Sequence, residues 1–174
     1  MLFRSAEYHY ELLTGGKSIA KHRIVVDRDT TKIGAFDCRV MRMYSDGKLV
    51  MTSHYAVDPK REFLTLVKMD PSPSPIVEPK PPLPTYPLTA KTKNWEWRGT
   101  GYSAATVEFT LHEGETIEVP FVPSGKASAY RIEYRVGSQL IQEFVVPGIG
   151  LVAGKSSSEG GDSEWRLKSV SLPQ

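Results

Sequence analysis

Hydrophobic and polar positions alternate most clearly between Glu115 and Ala153. Ile117, Val119 and Phe121 alternate with polar residues or proline, which is the two-residue period of a half-buried β-strand. The same period continues through 128–136, where aromatic and aliphatic residues share one face and arginines and glutamates share the other. Glycine-containing turns separate these stretches. The segment therefore predicts consecutive antiparallel strands, followed by a Pro-Gly bend and a further strand.

The rest of the chain shows the same alternation, interrupted by short polar segments. Outside the central segment, the predicted strands are 7–13, 18–27, 36–44, 49–57, 62–69, 94–101, 105–111 and 165–172. Asp46-Gly47 is a strong hairpin signal, because both residues tolerate the positive φ of a tight turn. The polar residues Asp27–Thr31 predict a turn or loop, and His112–Glu115 predict a turn. The glycine- and serine-rich segment 154–162 predicts a flexible loop.

A Pro-rich segment, 70–88, breaks this pattern. Proline lacks a backbone donor and favours extended polyproline conformation, so the segment predicts a loop that crosses the sheet. Three interpretations stay open: a covering loop or spacer between parts of the sheet, a ligand for a partner's aromatic groove, or an interdomain linker. The interdomain linker fits least well. It would make the five predicted strands before the segment a separate unit, and one face of their sheet would then be uncovered.

Together these patterns predict an all-β chain in which residues 1–174 form a single domain. A meander of short connections favours one curved antiparallel sheet of about ten strands, a half-barrel or open barrel with little helix. With 174 residues, the chain is long enough for one domain with a real core.

Composition argues against nucleic-acid binding, a membrane-spanning segment and an internal disulfide. The net charge of +2 is too small to indicate nucleic-acid binding, and acidic and basic residues are interleaved. No apolar run approaches the roughly 20 residues of a membrane span. The lone cysteine, Cys38, excludes an internal disulfide, and its alternation with Phe36 and Val40 indicates a small core residue rather than a reactive thiol.

The sequence contains no converging pattern of catalytic or metal-binding residues. His9, His22, His54 and His112 lie in four different segments without metal-ligand spacing. There is no nucleophile elbow, phosphate-binding loop or dinucleotide fingerprint. The residues favour a non-catalytic protein over an enzyme, and they indicate no cofactor, metal or catalytic residue.

Aromatic residues form the one suggestive group. Five of them fall in or beside predicted strands next to the Pro-rich segment: Trp95, Trp97, Tyr102, Tyr55 and Tyr86. Two interpretations of these residues are open. They pack in the hydrophobic core, or they form the apolar wall of a concave ligand site. These five residues are the predicted ligand-binding set.

A resemblance rests on motifs of the C-terminal half. In order these are Lys91–Gly99 with Trp95 and Trp97, Val119-Pro120 and Gly125, Ala129–Ile132, Phe144–Val152, and Trp165–Leu167. They resemble a little-characterised group of bacterial envelope β-proteins with W-x-aromatic, V-P-x-G and P-G-x-G-L-V motifs. The chain departs from that pattern at Lys93, where glycine is usual, and in the spacing between Val119-Pro120 and Gly125. The group is similar in outline to half-barrel lipoprotein carriers of the LolA/LolB type, an analogy that carries no site residue.

Three functional hypotheses follow. The first is a non-catalytic envelope protein that binds a lipid or other apolar ligand on the concave face of the sheet. The second is an interaction or structural module whose partner docks on the Pro-rich segment or an open sheet edge, and the third is an enzyme of unrecognised type. Met1–Ser5 lack the apolar stretch of a signal peptide. The resemblance favours a periplasmic or secreted protein whose signal peptide was removed. The sequence as given, which starts without such a peptide, favours the cytoplasm.

Overall fold

The computed structural model describes residues 6–171, and the regular structure in this range is β-strand. The strands are β1 Ala6–Thr14, β2 Lys17–Ile33, β3 Phe36–Ser45, β4 Lys48–Val57, β5 Phe63–Pro71, β6 Leu83–Pro87, β7 Asn94–Arg98, β8 Thr106–Glu118, β9 Lys126–Val136, β10 Gln139–Val146, β11 Gly150–Ser158 and β12 Gly161–Ser171. They form one sheet in the order β6-β5-β4-β3-β2-β1-β12-β11-β10-β9-β8-β7. The prediction of a curved all-β antiparallel sheet of about ten strands is confirmed. The predicted closing strand ends at Leu172, which lies outside the described residues.

The sheet curves until it is nearly closed into a barrel. The first and last strands, β1 and β12, pair with each other, so β6 and β7 are the two edges of the sheet. These edges meet along a seam that two indole groups bridge. The indole N–H of Trp95 donates to the carbonyl of Pro84 at 2.9 Å, and that of Trp97 donates to the carbonyl of Pro81 at 2.8 Å. The seam thus covers edges that would otherwise be available for pairing with another chain.

The Pro-rich segment forms one side of this seam. Leu83–Pro87, near its end, form β6, which pairs with β5. The sequence predicted only a loop there. Before β6, Val77 forms a backbone bridge with Met69 at the end of β5, and Lys80 forms another with Thr100 beyond β7. Prolines are tolerated at this place because an edge strand leaves one side of its backbone outside the ladder.

Three segments predicted as turns or a loop belong to longer strands, which corrects the predicted boundaries. Asp27–Thr31 lies within β2, His112–Glu115 lies within β8, and most of 154–162 forms the β11–β12 hairpin. The first two contain register shifts, and a β-bulge accommodates polar or glycine residues without ending the strand. In the segment 154–162, the hydroxyl of Ser156 is buried and accepts a hydrogen bond from the side-chain amide of Gln139.

Buried hydrophobic residues of the described chain form two large adjoining clusters and a smaller third one. One joins strands on both sides of the seam and includes Trp97 and Ile132, and the other joins mainly β1, β2, β11 and β12 and includes Val26 and Leu167. Cys38 is fully buried in a smaller cluster, so it packs as a small core residue. Burial also raises the pKa of its thiol.

Replacing Gly101 by alanine is expected to destabilise the seam. Gly101 has φ +74°, and a Cβ there would overlap the carbonyl oxygen of Glu78 in the Pro-rich segment. Gly114 is a matched control, because its φ is +77° and a Cβ there would meet nothing within 4 Å. We expect Gly101→Ala to lower the free energy of unfolding by at least ~1 kcal/mol more than Gly114→Ala, because strain is common to both and the overlap is not. Urea denaturation measures the difference, and equal losses would contradict the close contact.

Candidate functional site

The interior of the barrel contains a cavity of about 330 Å³. Side chains from every strand except β7 line it, and most are aliphatic, methionine or aromatic. The alternation of the strands explains this composition, because successive side chains point to opposite faces and the inward face is the apolar one. The cavity is therefore a product of the whole sheet rather than of one local motif.

The hairpins β1–β2, β3–β4 and β11–β12 lie at one end of the barrel, and we infer that the cavity opens there because half-buried residues of its lining lie next to them. We call this opening the mouth, and its half-buried side chains are Leu12, Met43, Met51, Met69 and Trp165. Two cross-strand pairs hold it together, since Met43 lies opposite Met51 and Leu12 lies opposite Trp165. Methionine side chains adapt to different apolar shapes, which suits an opening that admits a ligand.

The carboxylate that lines this cavity belongs to Glu143. Its strand, β10, places it opposite Ile132 on β9 and Gly154 on β11, and the residue is only 7% exposed. The hydroxyls of Tyr86 and Tyr134 hydrogen-bond to the carboxylate. Its Oε2 atom has no hydrogen-bond partner among the described residues. Burial raises the pKa of Glu143 to about 7, although the two tyrosine hydrogen bonds act to lower it.

Four tyrosines from different parts of the barrel lie close to Glu143. They are Tyr55 on β4, Tyr86 on β6, Tyr102 between β7 and β8, and Tyr134 on β9. Burial raises the pKa of each hydroxyl, and the negative charge of Glu143 raises it further. All four are therefore neutral near pH 7, and they offer hydroxyl groups and ring faces to the cavity. We call Glu143 and these tyrosines the Glu143 cluster.

Trp165 packs beside the Glu143 cluster. Gly154 lies opposite Glu143 on one side and opposite Trp165 on the other. A Cβ at Gly154 would overlap the indole ring, so the absence of a side chain there lets the ring lie against β11. Trp165 also lines the cavity, and its fluorescence is therefore a natural reporter of the interior.

The structure divides the predicted ligand-binding set. Tyr55, Tyr86 and Tyr102 line the cavity together. Trp97 is 2% exposed, and its ring packs edge-on against Tyr102 at 5.8 Å, outside the cavity lining. Trp95 stacks on Phe109 with ring centroids 4.9 Å apart and bonds across the seam, also outside the lining. A role in ligand binding stays a prediction for all five.

Glu143 is the residue that sequence reasoning did not select. The sequence shows Leu140–Val146 as apolar on both faces apart from Gln142 and Glu143. Glu143 is in phase with Ile141 and Val145, and an acid at an otherwise apolar position was the available signal. Tyr134 was placed on the apolar face of its strand without being connected to a site.

Residues 6–171 contain neither a metal-ligand cluster nor a membrane-spanning helix. Within residues 6–171, no group of three or more histidine, cysteine, aspartate and glutamate side chains is arranged to hold a metal ion. His22 lines the cavity, and burial lowers the pKa of its imidazole. Among residues 6–171 there is also no helix with the length and apolar character needed to cross a membrane.

The fold and the site define a class: an all-β protein whose nearly closed antiparallel barrel encloses an apolar cavity with one buried acid. No family model matches the chain, and no curated protein matches it. A solved structure from Parabacteroides distasonis, provisionally described as a lipoprotein, aligns with a TM-score of 0.50 and 11% identity, covering 97% of this chain and 96% of that one. At this identity the similarity shows the fold alone. The comparisons support the nearly closed barrel fold and give no support for LolA/LolB-type carriers specifically.

Proposed function

We propose that this protein is a non-catalytic cell-envelope protein that binds a lipid or other apolar ligand inside its barrel. The observation that carries the proposal is the cavity of about 330 Å³, whose mostly apolar lining extends to the half-buried side chains of the mouth. Small-molecule sites occupy roughly 300–1,000 Å³, so the cavity suits one small apolar molecule or one acyl chain. Its apolar lining would remove such a ligand from water, which is the main source of affinity for this class.

The end of the barrel that carries the mouth also carries exposed apolar residues. Ile19, Leu49 and Ile76 are 58%, 46% and 54% exposed. They belong to the β1–β2 hairpin, the β3–β4 hairpin and the β5–β6 connection, all at this end of the meander. Exposed apolar residues around an opening favour contact with a lipid surface or another apolar donor. This arrangement supports transfer of a ligand into the barrel.

An envelope location is part of the proposal. The fold similarity to a protein provisionally described as a lipoprotein supports it, and so does the resemblance of the C-terminal motifs to envelope β-proteins. The finer hypothesis, a carrier comparable with the LolA/LolB type, belongs to the same proposal, together with a periplasmic or secreted location. The alternative hypothesis of a partner docking on the Pro-rich segment rests on the exposure of residues such as Ile76.

Filling the mouth is expected to weaken ligand binding without unfolding the protein. Met43→Trp places a large ring at the opening, where Met43 is half-buried. We expect at least about tenfold weaker binding of dodecanol in isothermal titration calorimetry, because every ~1.4 kcal/mol of lost contact is a factor of ten. Val57→Trp is the control, since Val57 is 49% exposed at the opposite end of β4.

Native mass spectrometry of the protein as purified provides the second measurement. A co-purifying lipid that is present in the wild type and the Val57 variant, and reduced in the Met43 variant, would support binding inside the barrel. If the wild type carries no lipid and binds no apolar probe, the proposal is wrong. Equal binding by both variants would place the ligand outside the cavity and would also contradict it.

A further inference from the structure

The Glu143 cluster is chemically unusual for the inside of an apolar cavity. A buried carboxylate normally receives enough hydrogen bonds to replace its lost hydration. Glu143 is 7% exposed, and its Oε2 atom has no partner among the described residues. Tyr86 and Tyr134 satisfy it only in part. A cavity built for a purely hydrocarbon ligand would have no use for such a group.

We propose that the Glu143 cluster is a subsite for the protonated amino group of an amphiphilic ligand, whose apolar part fills the rest of the cavity and points to the mouth. The inference rests on the proposed function, because it names the chemical class of ligand for the same cavity. An ammonium group would donate to Oε2 and form a charge-assisted hydrogen bond. The surrounding tyrosines would offer ring faces, which attract cations, and hydroxyl oxygens, which accept hydrogen bonds.

The charges around the cavity favour a cation over an anion. Its described lining contains no lysine or arginine. His22 is the residue of this lining that can become positive, and burial lowers the pKa of its imidazole, which keeps it neutral near pH 7. A fatty-acid carboxylate would therefore meet Glu143 without a counter-charge, and like charges in a low-dielectric interior repel strongly. A neutral alcohol could donate to Oε2, but it would not gain from the negative charge.

Binding of an amine is expected to strengthen as the pH rises from 6 to 8. The titratable groups that line the cavity together with Glu143 are Tyr10, His22, Tyr55, Tyr86, Tyr102 and Tyr134. The tyrosines have raised pKa values and stay neutral in this range, so Glu143, with a pKa of about 7, dominates the change in charge. Only the ionised carboxylate attracts an ammonium group, and the ionised fraction rises about tenfold between pH 6 and pH 8.

The test compares decylamine, decanol and decanoate by calorimetry on the full 174-residue chain. The two ionic probes are kept below their micelle concentrations, and decanol is kept below its solubility limit. For the wild type at pH 8 we expect decylamine to bind at least about tenfold more tightly than decanol, the size of one strong charge-assisted contact. Glu143→Gln should reduce this preference to about twofold or less, because the uncharged amide does not attract an ammonium group. Glu108→Gln is the matched control, because Glu108 is exposed on the outer face of β8 and should keep the preference.

The possible outcomes separate the two proposals. If decanol or decanoate binds the wild type as tightly as decylamine at pH 8, or if Glu143→Gln keeps the amine preference, the amine subsite is wrong while ligand binding stands. If none of the three probes binds, the proposed function itself fails. Should Glu143→Gln not fold, the pH series on the wild type decides alone. Amine affinity that rises about tenfold from pH 6 to 8 supports the subsite, and affinity that is flat or falls overturns it.

Discussion

Replacing Trp97 by alanine is expected to lower the free energy of unfolding by roughly 3–5 kcal/mol, the usual range for emptying a large buried aromatic site. Trp97 is 2% exposed, packs edge-on against Tyr102, and donates its indole N–H to the carbonyl of Pro81 at 2.8 Å. The substitution removes core packing and one bridge of the seam together. Proteins of this size have a free energy of unfolding of about 5–15 kcal/mol. The loss should therefore remove a large share of the total stability.

Two companion variants separate packing from the hydrogen bond. Trp97→Phe keeps most of the apolar volume and loses the indole donor, so we expect less than half of the alanine effect. Trp95→Ala should have a smaller effect than Trp97→Ala, because Trp95 is only half-buried. Urea denaturation followed by circular dichroism measures all three. A loss below about 1 kcal/mol for Trp97→Ala would show that this side chain borders open space rather than core.

The stability of the protein is expected to fall as the pH rises from 4.5 to 7, and Glu143 should cause a large part of the change. Its pKa is raised from the ordinary value of 4.5 to about 7 in the folded protein. The folded state therefore holds the proton more tightly than the unfolded state between these two values. Stability from this group is fully present below pH 4.5 and is lost as the pH passes through 7, by about 3 kcal/mol in total.

Comparison with Glu143→Gln isolates this contribution. Burial lowers the pKa values of His22 and His54, and a lowered histidine pKa acts in the opposite direction over part of the same range. Subtracting the unfolding free energy of the Gln variant from that of the wild type at each pH cancels these effects. The difference should fall by about 3 kcal/mol between pH 4.5 and pH 8. A difference that does not change with pH would mean that Glu143 is hydrated or paired in solution.

These two expected effects concern opposite roles inside one barrel. Trp97 fills space and holds the seam, so its removal should weaken the fold at every pH. Glu143 lowers stability at neutral pH, because a buried and incompletely bonded carboxylate is costly. A group that destabilises its own protein where it is ionised is a candidate for function, since binding sites often retain such groups.

Alternation along the chain was enough to determine the type of structure and much of its local detail. A strand exposes successive side chains to opposite faces, so Tyr8, Tyr10 and Leu12 had to share a face whatever they packed against. Asp46-Gly47 likewise determined a hairpin, because both residues adopt the positive φ that its turn requires. The predicted ligand-binding set was chosen by its position beside the Pro-rich segment. Three of its residues, Tyr55, Tyr86 and Tyr102, do line the cavity.

Only the tertiary structure decided how the sheet closes and what lies inside it. The pairing of β1 with β12 and the seam between β6 and β7 join residues far apart in the chain, and local alternation contains no information about such pairs. Bulges continued β2 and β8 through segments whose composition suggested turns. The environment of Glu143 depends on Tyr86 and Tyr134, which reach it from other strands of the barrel. The pKa and free energy of a buried charge are set by desolvation and by such distant neighbours, so they emerge only when the sheet has closed around it.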